Sequence, residues 1–186
     1  MKNKIIVGLT LILVALTSIS VWAYYAPHRT LDNIKLMAEK GDSEGLRELI
    51  DFPSVREGMK EQLNAYMLKQ MATELKGNPF AAFGMMFAGA LVDRVVDSFV
   101  TPTGIASFSK GIKPKINNPS INQNDNNESK ADNASDNIIR TNKYEGTSKF
   151  IVSFSNRNDK SKTISLILRR QGITWKLTSI VLPDIE

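Results

Sequence analysis

The pattern of apolar and polar positions opens on residues 5–25, an unbroken run of about 21 residues without a charged side chain. Lys2 and Lys4 precede the run, and no acidic residue lies near them. As a helix, the run would be roughly 32 Å long, which matches the hydrocarbon core of a bilayer. The pattern therefore predicts a transmembrane anchor within residues 1–27.

A cleaved signal peptide is the competing interpretation, because Val21 and Ala23 are small residues before a potential cut at Tyr24. The run is longer than the usual signal core of about 7–15 residues. Trp22, Tyr24 and Tyr25 also form an aromatic cluster of the kind found at membrane interfaces. We therefore favour an uncleaved anchor. It predicts a single-pass protein of the bacterial inner membrane with its C-terminal domain in the periplasm. With cleavage, the domain would instead be secreted or periplasmic.

Helical periodicity and cap signals characterise residues 28–111. Helix starts are predicted at Thr30, at Asp42 or Ser43, at a capping box from Ser54 to Glu57, at Asn78-Pro79 and at Thr101-Pro102. Gly41 is the predicted end of the first of these helices. Asp51, next to Phe52 and Pro53, is interpreted as a cap or turn residue.

Polar composition sets residues 112–142 apart. The segment holds nine asparagines and few large apolar side chains. It cannot bury enough apolar surface to offset the entropy of ordering, so we predict a disordered loop.

Strict alternation of apolar and polar residues marks residues 143–186. It predicts three antiparallel strands, with Gln171-Gly172 as a two-residue hairpin loop and Leu168 facing Trp175. Because one face of this sheet would be apolar, the helices are expected to cover it. The predicted fold is therefore α+β: an N-terminal transmembrane helix, then four to five helices packed on a C-terminal three-stranded antiparallel meander that completes the same domain.

Net charge is unevenly distributed along the chain. The total is +5, and residues 143–186 carry eight basic and four acidic side chains, whereas residues 28–111 are nearly neutral. On the predicted sheet, Arg169 and Lys176 lie on the polar face and form a basic surface. For an exported domain, this surface favours anionic lipid or polysaccharide as a partner over nucleic acid.

Candidate catalytic chemistry is confined to Asp93 and Asp97, which lie four residues apart on one helix face. Such a carboxylate pair performs acid–base work only where a cleft separates the two pKa values. Ion pairs with Arg47 or Arg56 are the simpler interpretation. His28 is the only histidine and the chain has no cysteine, so we expect neither a metal site nor a cofactor.

A 13-residue apolar segment, residues 80–92, is too short to span a bilayer alone. It is either a central helix buried on every side or an adaptable apolar surface, since methionine packs against irregular shapes. In the second interpretation, the residues that bind a ligand or a partner are Phe83, Met85, Met86 and Phe87.

Two resemblances follow from these motifs. The stretch 38–46, together with a late hairpin ending in Trp175-Lys176-Leu177, resembles the cystatin/nuclear-transport-factor-like cone folds. Most of the chain outside the asparagine-rich loop resembles an uncharacterised bacterial family of small membrane-anchored proteins. That similarity is carried by Tyr24-Tyr25, by the stretches 49–56 and 89–97, by Thr101-Pro102 and by the final hairpin. It implies topology and no chemistry.

The sequence therefore predicts a non-catalytic, membrane-anchored envelope domain. Its expected partners are the membrane, through residues 5–25, and an envelope protein or an apolar ligand that binds between the Met/Phe-rich helix and the sheet. Binding of a membrane surface by the basic sheet face is the alternative, and an enzyme using the aspartate pair is a further one.

Overall fold

A computed structural model describes residues 2–74, 81–109, 138–159 and 161–183. In this part of the chain, helices precede a four-stranded antiparallel sheet of strand order β1-β2-β3-β4. The helices are α1 (Lys2–Lys40), α2 (Ser43–Leu49), α3 (Phe52–Glu74), α4 (Ala81–Phe99) and α5 (Pro102–Ser109). The strands are β1 (Ile138–Glu145), β2 (Lys149–Asn156), β3 (Ile164–Gln171) and β4 (Thr174–Val181). The predicted α+β class is confirmed, with one strand more than expected.

Strand β1 is the element that the sequence pattern missed. It pairs with β2 from Ile138↔Asn156 to Glu145↔Lys149, so residues 138–142 belong to the sheet and not to the predicted loop. Most of its side chains are exposed. Its order therefore comes from backbone pairing with β2 and not from apolar burial, which is why it shows little apolar alternation. The rest of the predicted loop, up to residue 137, lies outside the described residues.

Helix α1 runs without a break through Pro27, so the predicted helix start at Thr30 is wrong. Thr30 lies inside the helix, and its hydroxyl donates to the carbonyl of Ala26 at 3.1 Å. The second half of α1 contributes Leu31 and Ile34 to the core, whereas the described apolar side chains of the first half, such as those of Leu11 and Leu13, are exposed. Among the described residues, no helix is both long enough and apolar enough to cross a membrane.

Local capping signals determine most of the other helix ends. Gly41, with a φ of 74°, ends α1, and the Asp42 carboxylate accepts a hydrogen bond from the Gly45 amide at the start of α2. The Thr101 hydroxyl caps α5 by accepting from the Gly104 amide. These predictions are confirmed. The Asn78-Pro79 start lies outside the described residues.

The predicted capping box at Ser54 is wrong, because α3 begins two residues earlier, at Phe52. Asp51 is the cap: its carboxylate accepts from the Ser54 amide at 3.2 Å. The Asp51 amide in turn donates to the carbonyl of Leu177 at 2.9 Å, and Ile50 forms a parallel bridge with Leu177. The α2–α3 connection is therefore bound to the free edge of β4.

The core lies between the helices and one face of the sheet. Phe150, Val152, Leu168, Trp175 and Leu177 are its buried sheet residues. They pack with buried residues of all five helices, among them Leu46, Val55, Val96 and Ala106. The prediction that the helices cover the apolar face is confirmed.

The β3–β4 register differs from the predicted one by two residues. The two loop residues are Gly172 and Ile173, so Leu168 faces Leu177 and Arg170 faces Trp175. Gly172 has a φ of +64°, and a positive φ at the first loop position is typical of a type II′ hairpin. From Thr174 to Leu177, a shift of two residues keeps each side chain on its predicted face, because side chains alternate with a period of two. Thr178, predicted on the polar face, is instead buried, because β4 has an irregular register there.

Candidate functional site

An aromatic cluster joins α1 to the sheet. The rings of Tyr24 and Tyr144 stack with their centroids 5.0 Å apart, and the Tyr144 hydroxyl donates to the backbone carbonyl of Tyr24. One turn further along α1, His28 packs edge-to-face on Phe150 at 4.6 Å. His28 is therefore a packing residue. Among the described residues, no cluster of potential metal ligands is found.

The end of the sheet that carries the β1–β2 and β3–β4 turns lies beside this part of α1. Trp22, Ala26 and Arg29 of α1 line one cavity together with Ile173 and Trp175 of the β3–β4 hairpin. The aromatic cluster connects the same part of α1 to the neighbouring ends of β1 and β2. We call the end of the sheet with these two turns the turn end. It therefore lies beside the residues of α1 that are predicted to lie at a membrane interface.

At this end of the sheet, a row of charged residues lies on the face that points away from the core. Glu145 pairs with Lys149, Lys149 with Arg169, and Arg169 with Lys176 in the strand register. Directly opposite residues point to the same face, so Arg169 and Lys176 are brought together as the sequence predicted, and Lys149 joins them.

Only one end of this row is neutralised. The Glu145 carboxylate accepts from Lys149 Nζ at 2.7 Å and from Lys143 Nζ at 3.2 Å, and these hydrogen bonds lower the pKa of Glu145. Within the described part of the chain, Arg169, Arg170 and Lys176 form no ion pair. The turn end therefore presents uncompensated positive charge. We call Arg169, Lys176 and Lys149 the basic row.

Asp93 and Asp97 form ion pairs with a lysine and not with an arginine. Lys60 of α3 lies 2.9 Å from Asp97 and 3.9 Å from Asp93, so the ion pairs tie α3 to α4. The predicted partners are engaged elsewhere: Arg47 pairs with Glu44, and Arg56 donates to the carbonyl of Phe52. Both carboxylates are about half exposed in an open groove, so the low-dielectric cleft that acid–base chemistry needs is not formed around them.

The Met/Phe-rich segment belongs to α4, but Phe83, Met85, Met86 and Phe87 lie outside the residues whose side chains are described. One described helix–sheet cleft lies between α3 and the end of β4. It has a volume of about 270 Å³ and is lined mainly by apolar atoms, including those of Leu63, Tyr66 and Leu182.

The sequence analysis did not include three residues that the structure places in these clusters: Lys60, Lys149 and Tyr144. Lys60 and Tyr144 act through partners 37 and 120 residues away along the chain, and no local pattern signals such contacts. For Lys149 a signal existed. It alternates with Phe150, which assigns it to the same polar face as Arg169.

Tyr144→Phe is expected to remove an alkaline step from the stability of the protein. Burial raises the pKa of Tyr144, and the nearby phenols of Tyr24 and Tyr25 raise it further. A raised pKa gives stability that is complete below the ordinary value of about 10 and is lost as the pH rises through the folded-state pKa. The measurement is the free energy of unfolding as a function of pH. Tyr66→Phe is the control and should keep the step; an unchanged alkaline profile in Tyr144→Phe would contradict the assignment.

Comparison with known proteins adds one finding. The family model described as "Protein of unknown function (DUF2939)" matches residues 13–108, just over half of the chain. The match begins at residue 13, within the first third of α1, includes α2, α3 and α4, and ends one residue before the end of α5, ahead of the sheet. No curated protein and no solved structure matches the chain.

Proposed function

The chain belongs to this family of unknown function, and we propose that it is a non-catalytic domain held at a membrane by residues 5–25. In this proposal, the domain binds the anionic surface of that membrane through the basic row. The observation that carries the proposal is the row itself, which ends in Arg169 and Lys176 without an acidic partner among the described residues. The bacterial inner membrane, with the domain on its periplasmic side, is the location proposed from the charges that flank residues 5–25.

Exposure along α1 supports the membrane part of the proposal. Its first half exposes more than half of the surface of Ile6, Leu11, Leu13 and other apolar residues. A row of large apolar side chains in water is unfavourable, and insertion into a bilayer would remove the cost. Because α1 is one continuous helix, a bilayer around its first half would lie next to the turn end of the sheet.

Like charges placed directly opposite each other destabilise a sheet. Lys149, Arg169 and Lys176 occupy three neighbouring strands, and among the described residues only Lys149 has a carboxylate partner. Anionic headgroups would relieve this repulsion. Each lysine or arginine near an anionic surface contributes about 1 kcal/mol to binding.

The test uses a chain that begins at Trp22, which retains the aromatic cluster and the core. We expect it to bind vesicles of phosphatidylcholine with phosphatidylglycerol in a salt-sensitive way. Arg169→Gln with Lys176→Gln should weaken binding roughly 30-fold, which corresponds to two charges at about 1 kcal/mol each. Co-sedimentation with the vesicles measures the affinity.

Lys35→Gln with Arg47→Gln is the matched control, since it removes the same charge from exposed helix positions outside the row. Equal binding by the wild type and the basic-row variant would refute the proposal. If the wild type binds an acidic polysaccharide and no vesicles, the anion is a polysaccharide.

A second candidate function is binding of an apolar ligand between helix and sheet. The cleft of about 270 Å³ between α3 and β4 favours it, since its lining is mainly apolar and Gln62 places polar groups at its edge. A partner protein at the Met/Phe-rich part of α4 remains a proposal on the sequence alone.

A further inference from the structure

A second site lies on the other side of the turn end, in the cavity between α1 and the β3–β4 hairpin. Its volume is about 360 Å³. Trp22, Leu49, Ile173 and Trp175 give it an apolar wall, while Arg29 and Glu48 contribute opposite charges. Ile173 is 81% exposed at the tip of the hairpin, which is unusual for so apolar a side chain unless a membrane or a ligand covers it.

The two charges of this cavity are available to a ligand. The side chains of Arg29 and Glu48 form no ion pair with each other, and neither side chain has a hydrogen bond or an ion pair with the other described residues. Arg29 lies on the same helix face as Trp22 and Ala26, because positions 22, 26 and 29 are spaced by four and three residues. The cavity therefore combines an anion-binding group, a cation-binding group and apolar surface at the predicted membrane interface.

We propose that this cavity binds the headgroup and upper acyl chain of a phospholipid that carries both a phosphate and a primary ammonium. The phosphate would pair with Arg29, which matches phosphate geometry through its planar guanidinium. The ammonium would donate hydrogen bonds to Glu48, and the acyl chain would lie on Trp22, Ile173 and Trp175. This inference deepens the proposed function and rests on the membrane placement of α1.

Charge complementarity selects this occupant over other lipids. A phospholipid with a neutral glycerol headgroup would leave Glu48 facing a net negative ligand. A quaternary choline headgroup carries positive charge but has no N–H to donate to a carboxylate. Of these headgroups, only the one with a primary ammonium both donates hydrogen bonds to Glu48 and neutralises its charge, while its phosphate pairs with Arg29.

The chain provides its own reporter, because both of its tryptophans line the cavity. Trp22→Phe leaves Trp175, which is only 5% exposed, as the single fluorophore. The full chain with this substitution would be reconstituted into vesicles that contain brominated phosphatidylethanolamine, phosphatidylcholine or phosphatidylglycerol. Bromine on an acyl chain quenches Trp175 only where the chain reaches the cavity.

We expect half-maximal quenching at a roughly tenfold lower mole fraction of the ethanolamine lipid than of the other two, as charged hydrogen bonds of ordinary strength provide. Arg29→Gln with Glu48→Gln should remove this preference. Lys35→Gln with Glu44→Gln, which changes exposed charges outside the cavity on the same two helices, should preserve it.

Flotation of the same chain with the vesicles distinguishes a failure of the lipid site from a failure of the membrane placement. A chain that floats and shows equal quenching by the three lipids, or none, would overturn the lipid site and leave the membrane placement intact. A chain that does not float overturns both.

Discussion

Phe150→Ala is expected to lower the free energy of unfolding by about 3–5 kcal/mol, the usual cost of removing a buried phenyl ring. Phe150 is fully buried in the middle of the contact between α1 and the sheet. Its ring packs on His28 and on Tyr144, each with a centroid distance of 4.6 Å, and its strand neighbour is Leu168. The truncation would therefore open a cavity where three elements meet. Urea unfolding followed by circular dichroism measures the change.

Phe154→Ala is the matched control, because it removes the same ring from the same face of β2. Phe154 is only partly buried and lies outside the aromatic cluster, so its loss should cost about half as much. Equal losses in the two variants would show that the aromatic cluster does not stabilise the contact between α1 and the sheet.

Features that depend on neighbouring residues were predictable from the sequence. Gly41 ends a helix, and Asp42 and Thr101 cap the next ones through amides only three residues ahead. The polar face of the sheet was predictable for a related reason. Alternation assigns Arg169 and Lys176 to one side, and an error of two residues in the hairpin register leaves that side unchanged.

Features that depend on distant residues were not predictable. Tyr144 reaches Tyr24 across 120 residues, and Lys60 reaches Asp97 across 37. The β-bulge in β4 also depends on a contact with a neighbouring strand and not on nearby residues. Ile167 faces Ser179 while Leu168 faces Leu177, so Thr178 is the extra residue, and its hydroxyl bonds to the carbonyl of Ile167. Nothing near Thr178 in the sequence signals this.

Competition between signals explains the remaining errors. Ser54 and Glu57 have capping-box spacing, but Asp51 caps the helix earlier because its backbone is also bound to Leu177 of β4. Thr30 is a good cap residue, yet α1 continues through it because Leu31 and Ile34 bury the helix against the core. In both places, tertiary contacts override a local preference.

Two glycine-to-alanine substitutions are expected to change stability in opposite directions. A Cβ on Gly104 would lie 2.2 Å from the backbone carbonyl oxygen of Phe99 and 2.9 Å from the Thr101 hydroxyl that caps α5. Neither atom can move without breaking the turn between α4 and α5. Gly104→Ala should therefore destabilise the protein by about 2–3 kcal/mol, the upper part of the usual cost of overpacking, because the site is rigid.

Gly58→Ala is the matched control within α3. The nearest atom to its added Cβ is the Ser179 hydroxyl at 3.6 Å, an ordinary contact. Alanine is favoured over glycine in a helix interior by about 1 kcal/mol, so this variant should be more stable than the wild type. Thermal and urea unfolding of both variants measure the difference. Destabilisation by Gly58→Ala would place α3 closer to β4 than described, and a neutral Gly104→Ala would contradict the tight turn that positions α5 against α1.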